Sequence, residues 1–256
     1  MKQHLLVTTS ADSSVSQFRP YADVLLLDSV AAGVAASSID IASYKTVYIR
    51  SAFHRVDIMP QQFAGIIDKL GARARQAGIS VIDGVDSVEK IIKFEDKWQQ
   101  YQLFGELMPT TELVTSDTVD DRASIFKKRI SSRAAGIAWR LDEIYGERQD
   151  WIKQALVDIR QELRIYIVRG SVYPVAAVRQ PKTSQQKIKV VGARPLSSDQ
   201  IQFAQMVYQK CPEVDFVGLD VVDGQTGLWL LEANRSPIFS SFSRESGVNL
   251  AEILYK

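Results

Sequence analysis

Hydrophobic positions in the first third of the chain fall in short runs at 5–7, 24–27, 47–49 and 79–82, separated by small polar residues and by segments with helical spacing. Runs of that length alternating with helices predict a parallel sheet with crossover connections, an α/β arrangement. The clearest crossover helix starts at Pro60, a residue favoured at the first helical position. It sets Phe63, Ile66, Ile67 and Leu70 on one face and stops at Gly78. A second helix is predicted over 95–107, closed by Met108-Pro109, because proline disfavours helical geometry in the residue before it. The domain boundary is placed near 88–93, dividing the chain into a small amino-terminal parallel domain, 1–90, and a second domain, 91–256.

Beyond Pro109 the pattern changes. Apolar stretches at 163–168, 172–178, 216–222 and 228–231 are joined by tight connections such as Arg169-Gly170 and Asp223-Gly224-Gln225, which predicts antiparallel neighbours. Between them a helix is expected over 198–210. Ser197 and Gln200 stand at capping-box spacing, with Ile201, Ala204 and Val207 or Tyr208 on one stripe. The second region is therefore α+β, and the chain shows no internal repeat or low-complexity tract.

Composition narrows the function classes. With 256 residues, 46% of them hydrophobic, the chain can bury a substantial core. Its 31 basic and 30 acidic side chains nearly cancel, so no global field draws it to nucleic acid or to an anionic membrane, and neither is expected as a partner. Cys211 stands alone, which rules out an internal disulfide and a thiolate-rich metal cluster and fits a reducing compartment. The first residues turn polar from Thr8 onward and no apolar run approaches a membrane span, so a cytoplasmic protein is expected.

Candidate chemistry concentrates near the carboxy terminus. Asp220 lies in one predicted strand and Glu232 and Asn234 in the next; the last two are separated by one residue, project to the same face, and a hairpin would bring Asp220 beside them. Three oxygen-bearing side chains on one face suit a hard cation such as Mg²⁺. A solvated acidic face is the plainer alternative, but the apolar run leading into Glu232 points to burial, where an unpaired carboxylate is costly. A strand at 125–128 carries Lys127 and Lys128, and a run of mostly small residues follows up to Gly136, able to let backbone approach phosphate. The P-loop spacing and the dinucleotide fingerprint are both absent.

The order of these segments resembles the ATP-grasp superfamily, and within it the ribosomal-protein glutamate ligases, glutathione synthetases and peptide-modifying ligases, from about Ser87 to the end. The resemblance implies a domain of antiparallel sheets enclosing ATP. By that match Lys97, in Phe94-Glu95-Asp96-Lys97-Trp98, and Lys127, preferred to Lys128, contact phosphate. Ala155 and Leu156, following Gln154, offer backbone groups to adenine, and Glu162 bonds the ribose hydroxyls. Arg164 and Arg179 serve catalysis, Arg179 by stabilising an acyl-phosphate or tetrahedral intermediate, and Lys187 matches a basic residue of a phosphate-side loop. Asp220, Glu232 and Asn234, in Leu231-Glu232-Ala233-Asn234-Arg235-Ser236-Pro237, match the family's ligands for Mg²⁺, with Mn²⁺ as a substitute. Gly247-Val248-Asn249-Leu250-Ala251 resembles its terminal helix start. Arg133, Ala134 and Ala135 depart from the usual glycine-rich loop, Lys189 from a frequent asparagine, and Ile238 from a glycine.

The implied activity is an ATP-dependent carboxylate–amine ligase. An acyl-phosphate formed with the γ-phosphate is attacked by an amine of an amino acid or peptide, releasing ADP and phosphate. A catalytically reduced ATP-binding module and an ATP-grasp kinase are the rival readings, and a homo-oligomer is admissible. Other residues invite plainer readings. His4 and His54 lack metal-ligand spacing, and Cys211 reads as a small core hydrophobe. Trp98, Trp139, Trp151 and Trp229 read as core, and the basic stretch 182–194, without interleaved aromatics, as a solvated or substrate-closing loop.

Overall fold

The computed structural model describes residues 2–50, 60–131, 136–180 and 189–256. Strands β1 (His4–Thr8), β2 (Ala22–Leu26), β3 (Thr46–Ile49) and β4 (Ser80–Val81) make the expected parallel sheet, in the order β2-β1-β3-β4. Its centre is buried on both faces, as continuous apolar runs require: Leu5, Leu6, Val7, Val47, Tyr48 and Ile49 are all sequestered from solvent. Helices α1 (Val15–Phe18), α2 (Ala32–Ser38) and α3 (Ala64–Gln76) belong to this part. A 3₁₀ turn over Pro60–Phe63 precedes α3, which buries Ile67, Leu70 and Ala74 against the sheet with Phe63 and Ile66 at the margin. The chain leaves it through Gly78 at φ +67, a conformation glycine adopts without steric cost.

The stretch expected to separate two domains is helical. Helix α4 (Val88–Glu95) starts on the Ser87 side chain, which accepts from the Lys90 N–H, and its Val88 and Ile91 join the core of the parallel sheet. The single helix expected over 95–107 is shorter. Asp96 takes an extended conformation, caps α5 (Lys97–Phe104) through the Trp98 N–H, and thereby separates it from α4. Gly105, at φ +56, then turns the chain into a 3₁₀ turn over Gly105–Leu107.

Two antiparallel sheets follow. The smaller has strands β5 (Thr111–Leu113), β6 (Ser124–Lys128), β7 (Ile137–Ala138) and β8 (Trp151–Ala155) in the order β5-β8-β6-β7. The larger has β9 (Gln161–Val168), β10 (Ser171–Val172), β11 (Val175–Arg179), β12 (Val190–Pro195), β13 (Phe216–Gly224) and β14 (Gly227–Asn234) in the order β12-β11-β9-β13-β14, with β10 paired to β9. The strand expected over 172–178 is thus two, broken at Tyr173-Pro174 because proline has no N–H to give the ladder. Helix α6 (Ser198–Tyr208) carries both bonds of the Ser197/Gln200 capping box. Its buried stripe is Gln200, Phe203, Ala204 and Val207, displaced from the expected one, which included Ile201. Helices α7 (Ser240–Ser246) and α8 (Leu250–Tyr255) close the chain.

Side-chain alternation gives the larger sheet two different faces. One buries Leu163, Ile165, Ile167, Val217, Leu219 and Val221 against Phe203 and Val207 of α6. At one end of the other, Tyr166 and Phe216 pack on Phe239 and Phe242 together with Leu6 and Tyr48 of the parallel sheet. Of the tryptophans, Trp151 is fully buried, whereas Trp139, expected in the core, is 45% exposed. It follows a strand of two residues in which Ala138 takes the inward position. Cys211 is buried and burial pushes its thiol up to about 12, in keeping with a packing role. No described helix is long and apolar enough to cross a membrane.

Candidate active site

Further along that second face, past the aromatic cluster, the residues become charged. Registers across the strands explain why: Arg179 lies opposite Glu162, Val222 opposite both Glu162 and Trp229, and Asp220 opposite both Arg164 and Glu232. Paired residues of an antiparallel ladder share a face, so one row runs Arg179, Glu162, Val222, Trp229 and the next runs Arg164, Asp220, Glu232. A bulge between Asp220 and Val221 resets the register just where the acidic residues begin.

Asp220 is the hub. Arg164 grips it in a two-pronged pair, Nε to Oδ1 at 2.6 Å and Nη2 to Oδ2 at 2.8 Å, and Arg179 Nη1 stands 2.6 Å from Oδ1. The same Arg179 nitrogen is 3.0 Å from Glu162 Oε1. Asp220, Glu162 and Arg179 are buried. Burial pushes the Asp220 carboxyl up, but Arg164 and Arg179 more than reverse this and hold it well below the usual carboxylate range. Asn234 Nδ2 lies 3.5 Å from Asp220 Oδ2, and Glu232 Oε1 lies 3.3 Å from Lys97 Nζ.

Lys97 ties this face to the smaller sheet. Its Nζ is 3.3 Å from Ser131 Oγ and 3.4 Å from the Ser131 carbonyl, just past β6. The start of α5 is fixed there by two contacts: the Lys97 N–H donates to the Arg129 carbonyl at 2.9 Å, and Arg129 Nη2 pairs with Asp96 Oδ2 at 2.5 Å. On the smaller sheet Lys127 donates to Gln154 Oε1 at 2.6 Å, and Gln154 Nε2 to Thr111 Oγ1 at 3.0 Å. Lys128 points the other way and sets its ammonium 4.2 Å from the centre of the Tyr145 ring, as strand alternation demands.

The donor set fits a hard cation. Asp220 and Glu232 are cross-strand partners and Asn234 reaches toward the same carboxylate, so two carboxylates and an amide converge. Rotation of the Asn234 amide would present its oxygen. The basic groups now on these acids, Arg164, Arg179 and Lys97, are of the kind that neutralise phosphate.

No family model matches the chain, and no curated protein matches it. Solved structures do. The ATP-grasp ligase PsnB complexed with a minimal precursor superposes with a TM-score of 0.66 at 17% identity, covering 99% of this chain and 98% of that one. The macrocyclase MdnB from Microcystis aeruginosa MRC gives 0.64 at 17%, covering 99% of each chain. A RiPP-associated ATP-grasp ligase from Chryseobacterium gregarium, in complex with ADP and a leader and core peptide, gives 0.65 at 12%, covering 100% of this chain and 96% of that one. The chain has the ATP-grasp fold.

Within the ATP-grasp fold the residues singled out in the sequence fall into two groups. Lys97, Glu162, Arg164, Arg179, Asp220, Glu232 and Asn234 form one connected cluster on the larger sheet. Lys127 and Gln154 form a second on the smaller. Ala155 ends β8 and Leu156 follows it; their N–H groups donate to the Thr110 and Ala123 carbonyls at 2.8 and 2.7 Å. Lys187 and His54, like Arg133, Ala134 and Ala135, lie outside the described residues, and His4 stacks on Tyr255 and bonds Thr46. Sequence reasoning missed Gln100, which grips the Ala233 N–H and C=O at 2.9 and 2.8 Å, and Arg129, which pairs with Asp96. It also missed that Trp229 shares the row of Glu162. These contacts join residues far apart in sequence and leave no local spacing signal.

Proposed function

We propose that the protein is an ATP-dependent carboxylate–amine ligase forming an amide on an amino acid or peptide through an acyl-phosphate. The observation that carries this reading is the cluster of buried Arg179, Asp220 and Glu162 with partly buried Arg164, beside Glu232, Asn234 and Lys97. Two acids and an amide able to hold a cation, ringed by three basic side chains, suit phosphoryl transfer, which needs positioning and charge neutralisation more than a protein nucleophile. Asp220, Glu232 and Asn234 would hold Mg²⁺, whose charge screens the phosphates and polarises them. PsnB has been solved with Mg and ADP.

Lys97 and Lys127 bind phosphate oxygens, with Lys187 assigned to the same side. Gln154, Ala155 and Leu156 lie along adenine, and Glu162 faces the ribose. In the reaction a carboxylate oxygen of the substrate attacks the γ-phosphorus and the bond to ADP breaks. Arg179 and Arg164 then stabilise the negative charge that gathers on the acyl oxygen when the amine nitrogen attacks the acyl carbon. Phosphate departs with the carbon–oxygen bonding pair, and the nitrogen gives up a proton to solvent. A peptide is the favoured substrate class, in line with the peptide complexes of the structures this chain resembles.

Product analysis tests the reading. Incubation with Mg-ATP and a panel of amino acids and peptides is expected to release ADP and phosphate in proportion to amide formed. AMP and pyrophosphate would replace this mechanism by adenylation, phosphate retained on an alcohol would make the protein a kinase, and binding without turnover would make it a regulatory module.

A further inference from the structure

Immediately after Asn234 the chain leaves the ladder and runs irregularly from Arg235 to α7, much of it buried. Buried carbonyls outside regular structure need donors, and here four in succession find them on side chains. Tyr48 Oη donates to the Arg235 carbonyl at 2.9 Å, Arg50 Nη2 to those of Ser236 and Pro237 at 3.3 and 2.9 Å, and Tyr166 Oη to that of Ile238 at 3.3 Å. The Phe239 N–H donates to Ser14 Oγ at 2.9 Å.

Three of these four carbonyls are held from β3 and the residue after it. Arg50 is fully buried, held by Asp12 Oδ2 at 2.7 Å and lying 4.9 Å from the centre of the Phe18 ring and 5.5 Å from that of Tyr48. Asp12 is itself fixed, accepting from Thr8 Oγ1 at 3.1 Å and the Ser14 N–H at 3.0 Å. Arg235 reaches back, donating to the Ile49 carbonyl at 2.7 Å and pairing with Asp83 at 3.3 Å. On the other side of the site, Gln100 grips Ala233.

We infer that Tyr48 and Arg50 are positioning residues of the active site: from the parallel sheet they fix the path of residues 235–237 and so set the direction in which Asn234 and Glu232 face the cation. This rests on the ligase reading for its metal, though the clamp itself is a matter of geometry. It also offers a reason for the departure at Ile238, since a chain held at each carbonyl does not need the freedom of a glycine there.

The test uses the full chain with Tyr48→Phe, which removes one donor and keeps the ring, and Arg50→Lys, which keeps the charge facing Asp12 and loses the fork. Two quantities are read: amide exchange across 234–239, and the Mg²⁺ concentration giving half-maximal ATP binding. Exchange in that segment is expected to speed up in both variants, and the Mg²⁺ requirement to rise roughly tenfold, as when a residue orienting metal ligands is lost. Nucleotide affinity at saturating Mg²⁺ should change little. A lowered melting temperature with unchanged Mg²⁺ requirement would reduce both residues to ordinary packing and overturn the proposal, as would unchanged exchange at 234–239. If the unaltered protein binds no Mg-ATP, the ligase reading fails, together with the role in metal binding. The exchange result then still decides whether the clamp exists.

Discussion

Asp220 shows how a residue acquires a role from partners that no local motif displays. Its carboxylate is buried, which alone would favour the neutral acid, and it stays ionised because Arg164 and Arg179 flank it. Removing Arg179 leaves the two-pronged Arg164 pair in place, so Asp220 keeps a counterion. Arg179→Ala is therefore expected to fold and to bind Mg-ATP with a modest loss of affinity, while turnover falls ~10²-fold or more, since a cation aimed at developing negative charge acts chiefly on the transition state. Intact turnover with lost ATP binding, measured by steady-state kinetics and calorimetry, would remove Arg179 from the catalytic set. The placing of Asp220, Glu232 and Asn234 on one face was legible because strand alternation and a hairpin are local rules. That Arg164 and Arg179 would both meet Asp220 was not, because it depends on the registers of β9 with β13 and β11.

At the scale of elements, β8 carries the most specific consequence. Resemblance singled out Ala155 and Leu156, yet their N–H groups already donate to Thr110 and Ala123. Amides bonded in a sheet exchange slowly with or without ligand. ATP is therefore expected to add protection just beyond them, at Val157 and Asp158, and little at Ala155 and Leu156. Exchange followed by mass spectrometry or NMR resolves the two patterns, and new protection confined to the parallel sheet would move the nucleotide site there. Elements governed by short-range chemistry were readable: the capping box opening α6, the glycine ending the crossover helix, the opposed faces of Lys127 and Lys128. Where a long-range partner decides, periodicity misled. The inward stripe of α6 turned to bury Phe203 because that residue meets the back of the larger sheet.

That one part of the chain forms a parallel sheet and the other antiparallel sheets was legible from helical crossovers in the first and tight connections in the second, but the seam between them was not. Leu6 and Tyr48 from the first sheet share a core with Tyr166, Phe216 and the closing helices, residues separated by most of the chain. Asp83 sits at this seam. It holds a left-handed conformation at φ +63, accepts from the Phe216 N–H at 2.9 Å, pairs with Arg235, and donates its own N–H to Asp215 at 2.8 Å. Burial raises its carboxyl further than Arg235 and the Phe216 N–H lower it, from an ordinary 3.8 to about 7. The sign of the linkage follows. Between about pH 4 and pH 7 the folded protein keeps a proton on Asp83 that the unfolded chain has released, so this group's stabilising contribution is complete below that window and is lost as pH rises through it. The slope is at most about 1.4 kcal/mol per pH unit. Asp220 acts oppositely and lower: its contribution is present above the ordinary carboxylate value and is lost as acid protonates it. Denaturant unfolding from pH 4 to 7 should therefore show a declining component that Asp83→Asn removes, whatever that variant does to the absolute level. An unchanged slope in Asp83→Asn would mean that Asp83 is ionised across the whole range, with Arg235 holding the seam as a full ion pair.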